Sequence, residues 1–222
     1  MRSFWVLAIL LFSFVFASAQ NEQAPLQEKE FNYKNWTYKS VQDGQEINLR
    51  DFTAGKKLVL VAYFAPWCGN WKHEAPFVQK MYDKYKSSGL DVIAVGEYGP
   101  LEEMKTHLDS YKFTFPVVYE SLSRDDKQKT LHYEYRQKTG DTRNWGSPWN
   151  IFLEPADLKK DGEVLTQKAF IANGELIEPD AEKFIREKLG LAAIEAKAVS
   201  AKKEKEIEAC EGEKKTIEFK KP

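Results

Sequence analysis

Two cysteines, Cys68 and Cys210, are the only thiols in this chain of 222 residues, and their surroundings differ. Cys68 follows Leu58 to Phe64, a continuous apolar run that reads as a strand buried on both faces. Beyond it Phe77, Val78, Met81, Tyr82 and Tyr85 recur at helical spacing until Ser87-Ser88-Gly89 ends the pattern. Cys68 therefore stands where a buried strand hands over to a helix N-terminus. Unpaired amides and the positive dipole end favour an anion there, so a thiol in that place tends toward the nucleophilic thiolate. The competing reading is a buried structural thiol, since free cysteine is among the most buried residue types. Cys210 lies among Glu208, Glu211 and Glu213, which disfavour its thiolate. A Cys68–Cys210 disulfide, an intermolecular one and two free thiols all stay open.

Around Cys68 the sequence reads Trp67-Cys68-Gly69-Asn70-Trp71-Lys72-His73-Glu74-Ala75-Pro76. This segment resembles the active-site segment of thioredoxin-like proteins, especially the exported TlpA-like thiol-disulfide oxidoreductases and the related redoxin and thiol-specific antioxidant group. The resemblance implies a thioredoxin-like α/β fold. It also implies that Cys68 is the thiol that attacks a substrate disulfide, with Trp67, Gly69, Asn70 and Trp71 as motif residues and Lys72 and Glu74 as candidate modulators. Two departures stand out. The family's second, resolving cysteine is Trp71 here, and its usual intervening proline is Asn70. The buried acid that many thioredoxins carry on the preceding strand corresponds to Ala62, so the resolving thiol and its helper are missing together.

The family also places a cis-proline opposite the active cysteine. Pro116 and Pro148 compete for that place. Pro148, in Gly146-Ser147-Pro148-Trp149, is the one that starts a strand turning back as an antiparallel pair before the last helix. Ser147 and Pro148 are accordingly assigned to the substrate cleft. A thiol peroxidase of this group has a threonine three residues before its cysteine. That position is Ala65.

The remaining residues narrow the chemistry further. His73, His107 and His132 are scattered without ligand spacing and read as surface residues, so neither a metal nor a cofactor is expected. His73 sits about 140° around the helix from Cys68 at roughly 100° per residue, a poor position for a base. An isolated glutamate on an amphipathic helix, such as Glu74, reads as solvated. A net charge of −1 gives no electrostatic case for nucleic acid.

The elements that must position Cys68 can be followed along the chain. Residues 1–19 carry Arg2, an apolar run from Phe4 to Phe16 and Ala17-Ser18-Ala19, the pattern of a cleavable signal peptide. The apolar run is shorter than the ~20 residues that span a bilayer, so no stable membrane insertion is expected after cleavage. The mature chain is then expected in an exported, oxidising compartment, periplasmic in a bacterium and otherwise secreted. Residues 20–30 read as a flexible lead-in and 31–190 as the thioredoxin-like domain. Within it, Trp36 to Ser40 and Glu46 to Leu49 flank Gln42-Asp43-Gly44 as an N-terminal hairpin. Leu90 to Val95 is the next buried strand, Leu101 to Tyr111 a helix, and Phe115 to Tyr119 a short strand.

Asp125 to Thr139 reads as a polar, peripheral helix ended by Gly140. Trp149 to Leu153 and Lys168 to Ala172 form an antiparallel pair around a surface insertion at 154–167, and a last helix begins at Pro179. The whole is a central mixed sheet flanked by helices. Residues 191–222, rich in Ala, Lys and Glu, are a charged extension, either a solvated helix or a disordered tail.

Three functions compete on this reading. One is an exported thiol redox protein that works through the single thiol Cys68 with protein or small-molecule thiols and disulfides. Another is a non-catalytic thioredoxin-like binding module. The third, a thiol peroxidase, has the least in the sequence to support it. Oligomeric state is not legible.

Overall fold

The computed structural model describes residues 22–192. The expected signal segment, the charged extension beyond residue 192 and Cys210 lie outside the described residues. In chain order the elements are β1 (Gln23–Ala24), β2 (Gln27–Lys34), β3 (Thr37–Ser40), β4 (Glu46–Asn48), α1 (Leu49–Thr53), β5 (Leu58–Phe64), α2 (Gly69–Tyr85), β6 (Leu90–Gly96), α3 (Leu101–Tyr111) and β7 (Val117–Tyr119). Then follow α4 (Leu131–Thr139), β8 (Trp149–Leu153), β9 (Val164–Ala172), β10 (Glu175–Leu176) and α5 (Glu178–Lys188).

Eight strands form one mixed sheet in the order β2-β9-β8-β5-β6-β7-β3-β4. β5 pairs parallel with β6, and β6 with β7, each connection passing through a helix. β8 runs antiparallel to β5 on the other side, with Ala62 opposite Asn150 and Tyr63 opposite Trp149. Every residue of β5 and β6 is buried, as a continuous apolar run requires when both faces are covered.

Alternation along β5 divides the core in two. Leu58, Leu60, Ala62 and Phe64 pack with Trp71, Val78 and Met81 of α2, with Met104 and Leu108 of α3 and with Ile185 of α5. Val59, Val61 and Tyr63 pack on the opposite face with Leu49 of α1, Tyr135 of α4, Trp149 and Ile151. The fold is the expected thioredoxin-like one. The β3–β4 hairpin adds to the sheet through β7.

The structure corrects several expectations. The lead-in holds two strands: β1 pairs with β10, and β2 pairs with β9 at the sheet edge. Gln27, Glu28, Lys29 and Glu30 resemble a solvated segment because an edge strand carries charges outward. The Asp125 to Thr139 helix is a 3-10 turn (Arg124–Lys129) followed by α4, whose N-cap Thr130 accepts from the Tyr133 amide. α4 is not peripheral, since it buries His132, Tyr135, Arg136 and Thr139. β9 begins at Val164, inside the expected insertion.

Candidate thiol site

Cys68 is the N-cap of α2, in extended backbone, and is half-buried. Its amide donates to the Ala65 carbonyl and its carbonyl accepts from the Lys72 amide, so the turn and the first helical hydrogen bond fix its position from both sides. The thiol Sγ lies 3.1 Å from the Ser147 carbonyl oxygen, to which it donates. Ser147 Oγ accepts from the Ala65 amide at 2.8 Å. The Ser147–Pro148 peptide is the one cis bond among the described residues, and the bond before Pro116 is trans. The structure thus brings together Cys68, Ser147 and Pro148 from elements 79 residues apart. Gly69 is exposed and Asn70 half-buried at the start of α2.

The Ser147 loop is held by an ion cluster that the sequence did not announce. Arg136 of α4, fully buried, donates through Nε to Asp141 Oδ2 at 3.0 Å, and Arg143 Nη2 donates to the same oxygen at 2.8 Å. Arg143 Nη2 also reaches the Pro148 carbonyl at 2.8 Å, and Arg136 Nη2 reaches the Arg143 carbonyl. Burial pushes the Asp141 carboxyl up, but hydrogen bonding and charge from Arg143, then Arg136, outweigh it and hold the group below its usual range. Gly146 lies against this cluster at φ +58°, and a Cβ there would sit 1.7 Å from Arg136 Nε. Only glycine fits, for steric and backbone reasons together.

Trp71, the position that the resemblance gives to a resolving thiol, is completely buried. Its indole stacks on Phe64 at 4.9 Å between centroids, and its Nε1 donates to His107 Nε2 at 2.7 Å. His107 is therefore neutral with its proton on Nδ1. Burial, then the charge of Lys72, push its pKa down to about 4. The expectation of a surface His107 is overturned, because Trp71 needs an acceptor inside the core. His132 is also buried, with Nδ1 2.9 Å from the Tyr98 hydroxyl. His73 stays largely exposed and pairs through Nδ1 with Glu175 Oε2 at 2.7 Å.

Of the two candidate modulators, Lys72 is exposed and its side chain forms no hydrogen bond or ion pair among the described residues. Glu74 is not solvated but buried between α2, β8 and β10. Its Oε1 accepts from Asn150 Nδ2 at 2.9 Å and from the Leu176 amide at 2.8 Å. Burial raises its pKa to about 8, against the lowering effect of the Leu176 amide and with a further push from Glu175. Asn150, which hydrogen-bonds Glu74, stands opposite Ala62 in the sheet, so the structure places a buried acid on α2 across from that position.

Trp67, the residue before Cys68, is half-buried. Its Nε1 donates to the Tyr98 carbonyl at 2.9 Å. Tyr98 is buried and holds φ +58°, a conformation unusual for a tyrosine, with its amide donating to Ser121 Oγ and its hydroxyl near Thr130 and His132. These tethers overdetermine the backbone that receives Trp67. Trp145, two residues before Ser147, meets Trp67 edge to face at 5.3 Å. None of these partners has a signal in a single sequence, because each contact joins segments far apart in the chain.

Residues 23–142 match the profile described as AhpC/TSA family. The chain belongs to the AhpC/TSA family. Among curated relatives, the thiol-disulfide oxidoreductase ResA of Oceanobacillus iheyensis is 32% identical over 78 residues, 35% of this chain and 40% of the relative. ResA of Halalkalibacterium halodurans is 30% identical over 76 residues, 34% of this chain and 42% of the relative. The chain thus spans about two fifths of the length of these curated relatives.

Among solved structures, a thiol:disulfide interchange protein from a Bacteroides species aligns with a TM-score of 0.51 at 21% identity, covering 77% of this chain and 93% of that one. A secreted thiol-disulfide isomerase from Corynebacterium glutamicum aligns with a TM-score of 0.51 at 15% identity, covering 73% and 92%. At these identities the structural neighbours support the fold alone. Among the described residues no helix is long and apolar enough to cross a membrane, and no group of three or more His, Cys, Asp or Glu is placed to hold a metal.

Proposed function

We propose that this AhpC/TSA family member is an exported thiol redox protein that exchanges disulfides through the single thiol Cys68. The observation that carries the reading is the half-exposed Cys68 thiol at the N-cap of α2, 3.1 Å from the carbonyl of Ser147 in the cis Ser147–Pro148 bond. The ResA relatives, matched over part of their length, support the same chemistry. In the proposed reaction the Cys68 thiolate attacks one sulfur of a disulfide. A mixed disulfide forms and the other half leaves as a thiolate. No second cysteine lies among the described residues, and Trp71 cannot resolve the adduct, so a thiol from outside the motif attacks it and restores Cys68.

A second reading, a thioredoxin-like module that binds without exchange, draws on the core burial of Trp71 where a resolving thiol would be. One experiment separates the two. A chain carrying Cys210→Ser is treated in its native state with a small disulfide and followed by intact mass. The redox reading expects one mixed disulfide on Cys68, released by added thiol. A Cys68 that stays unmodified when folded but reacts once the chain is unfolded would leave the binding module.

A further inference from the structure

Arg124 is exposed and lies against Trp67, the residue before Cys68. Its guanidinium carbon lies 4.3 Å above the Trp67 ring centroid and 5.8 Å from that of Trp145. These two indoles belong to the residue before Cys68 and to the residue two before Ser147, whose carbonyl receives the thiol. Lys127 Nζ lies 4.9 Å from the Trp145 centroid and donates to Asn144 Oδ1 at 2.8 Å. Stacking uses the face of a guanidinium and leaves its in-plane N–H groups at the edge. The Arg124 side chain makes no hydrogen bond and no ion pair among the described residues. Its fork is therefore held in place by aromatic contact while its donors stay available.

We infer that the disulfide exchanged at Cys68 carries a carboxylate, which Arg124 receives through its fork, with Lys127 adding charge over Trp145. This specifies the substrate class of the thiol exchange proposed above and rests on it. Two acids, Glu103 and Asp125, line the groove that Arg124 shares with Trp67, and neither pairs with Arg124. They leave the Trp145 side, where Lys127 lies, as the approach for an anion. A bidentate carboxylate–guanidinium pair also constrains orientation. A carboxylate fixed there while the sulfur meets Cys68 selects disulfides by the spacing between the two groups. The step balances as ordinary exchange: the S–S bond of the substrate breaks, a Cys68–substrate bond forms, and the other half departs with the electron pair as a thiolate.

The test measures second-order rates of Cys68 in the Cys210→Ser chain with three small disulfides, the dianionic dithiodiglycolate, the neutral bis(hydroxyethyl) disulfide and the dicationic cystamine. Each rate is divided by that of the same reagent with a short unstructured cysteine peptide. The dianion is expected to exceed the neutral reagent, and the neutral reagent the dication, with the spread narrowing as salt is added. Arg124→Gln with Lys127→Gln should lower the dianion-to-neutral ratio by roughly three- to tenfold, the size expected of a charge-assisted pair at a surface. Arg124→Lys should recover only part, because an ammonium keeps the charge and loses the fork. A ratio that stays the same in the double variant while all three reagents react overturns this inference and leaves the exchange reading standing. A Cys68 that reacts with none of them overturns both. Acidic and basic disulfide-linked peptides of equal length, run in parallel, distinguish a small acidic thiol from an acidic protein segment as the source of the carboxylate.

Discussion

Replacing Glu74 by glutamine should make the stability of this protein less dependent on pH. The carboxyl is buried, accepts from Asn150 and the Leu176 amide through Oε1, and has an Oε2 without a partner among the described residues. Burial shifts its midpoint from 4.5 to about 8. Between these values the native state holds a proton that the unfolded state releases. Stability from this group is therefore complete below pH 4.5, falls as pH rises through the window, and is lost above about pH 8. At about 1.4 kcal/mol per pH unit, the span bounds the effect near 5 kcal/mol. Relaxation around the ion lowers that figure, so roughly 2–5 kcal/mol is expected.

Glu74→Gln keeps the geometry and removes the ionisation. The amide oxygen can take the role of Oε1, and the NH₂ group replaces an oxygen that has no donor, in a patch that also holds the unpartnered Asn150 Oδ1 and Glu175 Oε1. Denaturant unfolding of wild type and variant from pH 5 to pH 9 is the assay. The two should lie within about 1 kcal/mol at pH 5, the usual net size of one hydrogen bond, and the variant should gain steadily above it. A difference that stays flat across the range, or one that favours wild type at high pH, would refute the assignment of Glu74 as a buried neutral acid.

Three further outcomes follow from the packing. Trp71→Cys should destabilise the reduced protein by about 3–5 kcal/mol, because the full indole leaves the core and His107 loses its donor, while oxidation should link the introduced thiol to Cys68 and recover part of the loss; equal stability of reduced variant and wild type would remove Trp71 as an anchor. Gly146→Ala should cost several kcal/mol in chemical denaturation, since the new methyl meets Arg136 at a backbone angle that disfavours alanine, and it should slow modification of Cys68 or raise its variability by moving Ser147. Asp141→Asn should cost about 3–5 kcal/mol at neutral pH by leaving the buried Arg136 guanidinium, and the half-buried Arg143 beside it, poorly compensated; because its pKa is lowered, the stability Asp141 gives is present above pH 3.8 and lost as pH falls through its lower folded value, so the gap to wild type should close in acid.

What could be read from the sequence follows the strength of local patterns. Leu58 to Phe64 and Leu90 to Val95 are apolar without interruption, and such runs have few alternatives to a doubly covered strand. The α2 stripe, the β3–β4 turn and the Pro179 helix start are equally local. The start of α2 at Cys68 and the cis Ser147–Pro148 bond were legible, because each lies in a local motif. It was not legible where burial comes from a distant element. Glu74 looks like one charge on an amphipathic helix, yet β10 crosses that face and seals it. His107 looks like a surface histidine on α3 until Trp71 requires an acceptor. Arg136, Asp141 and Arg143 look like ordinary charges near a helix end, and only the fold brings them under Gly146. β2 failed for the opposite reason, because an edge strand that carries charge outward has the composition of a tail.

On the proposed reading, a site that exchanges through one motif thiol selects differently from a dithiol site. In a dithiol site the resolving group is tethered, its effective concentration is high, and a mixed disulfide is short-lived whatever the partner. With Trp71 locked to His107 in the core, that intramolecular exit is closed within the motif. On the proposed reading, the lifetime of the Cys68 adduct depends on the concentration and fit of an incoming thiol. Exchange and binding then become two ends of one behaviour, separated by how quickly a second thiol arrives. Selection moves from the interior of the motif to its rim, because the rim decides which thiol reaches the mixed disulfide. There the chain presents Trp67, Trp145 and the fork of Arg124, unpaired among the described residues. A partner that fits this rim and lacks a second thiol would remain attached, whereas a partner bearing one would be released, so measured adduct lifetimes should sort partners by their own thiol content.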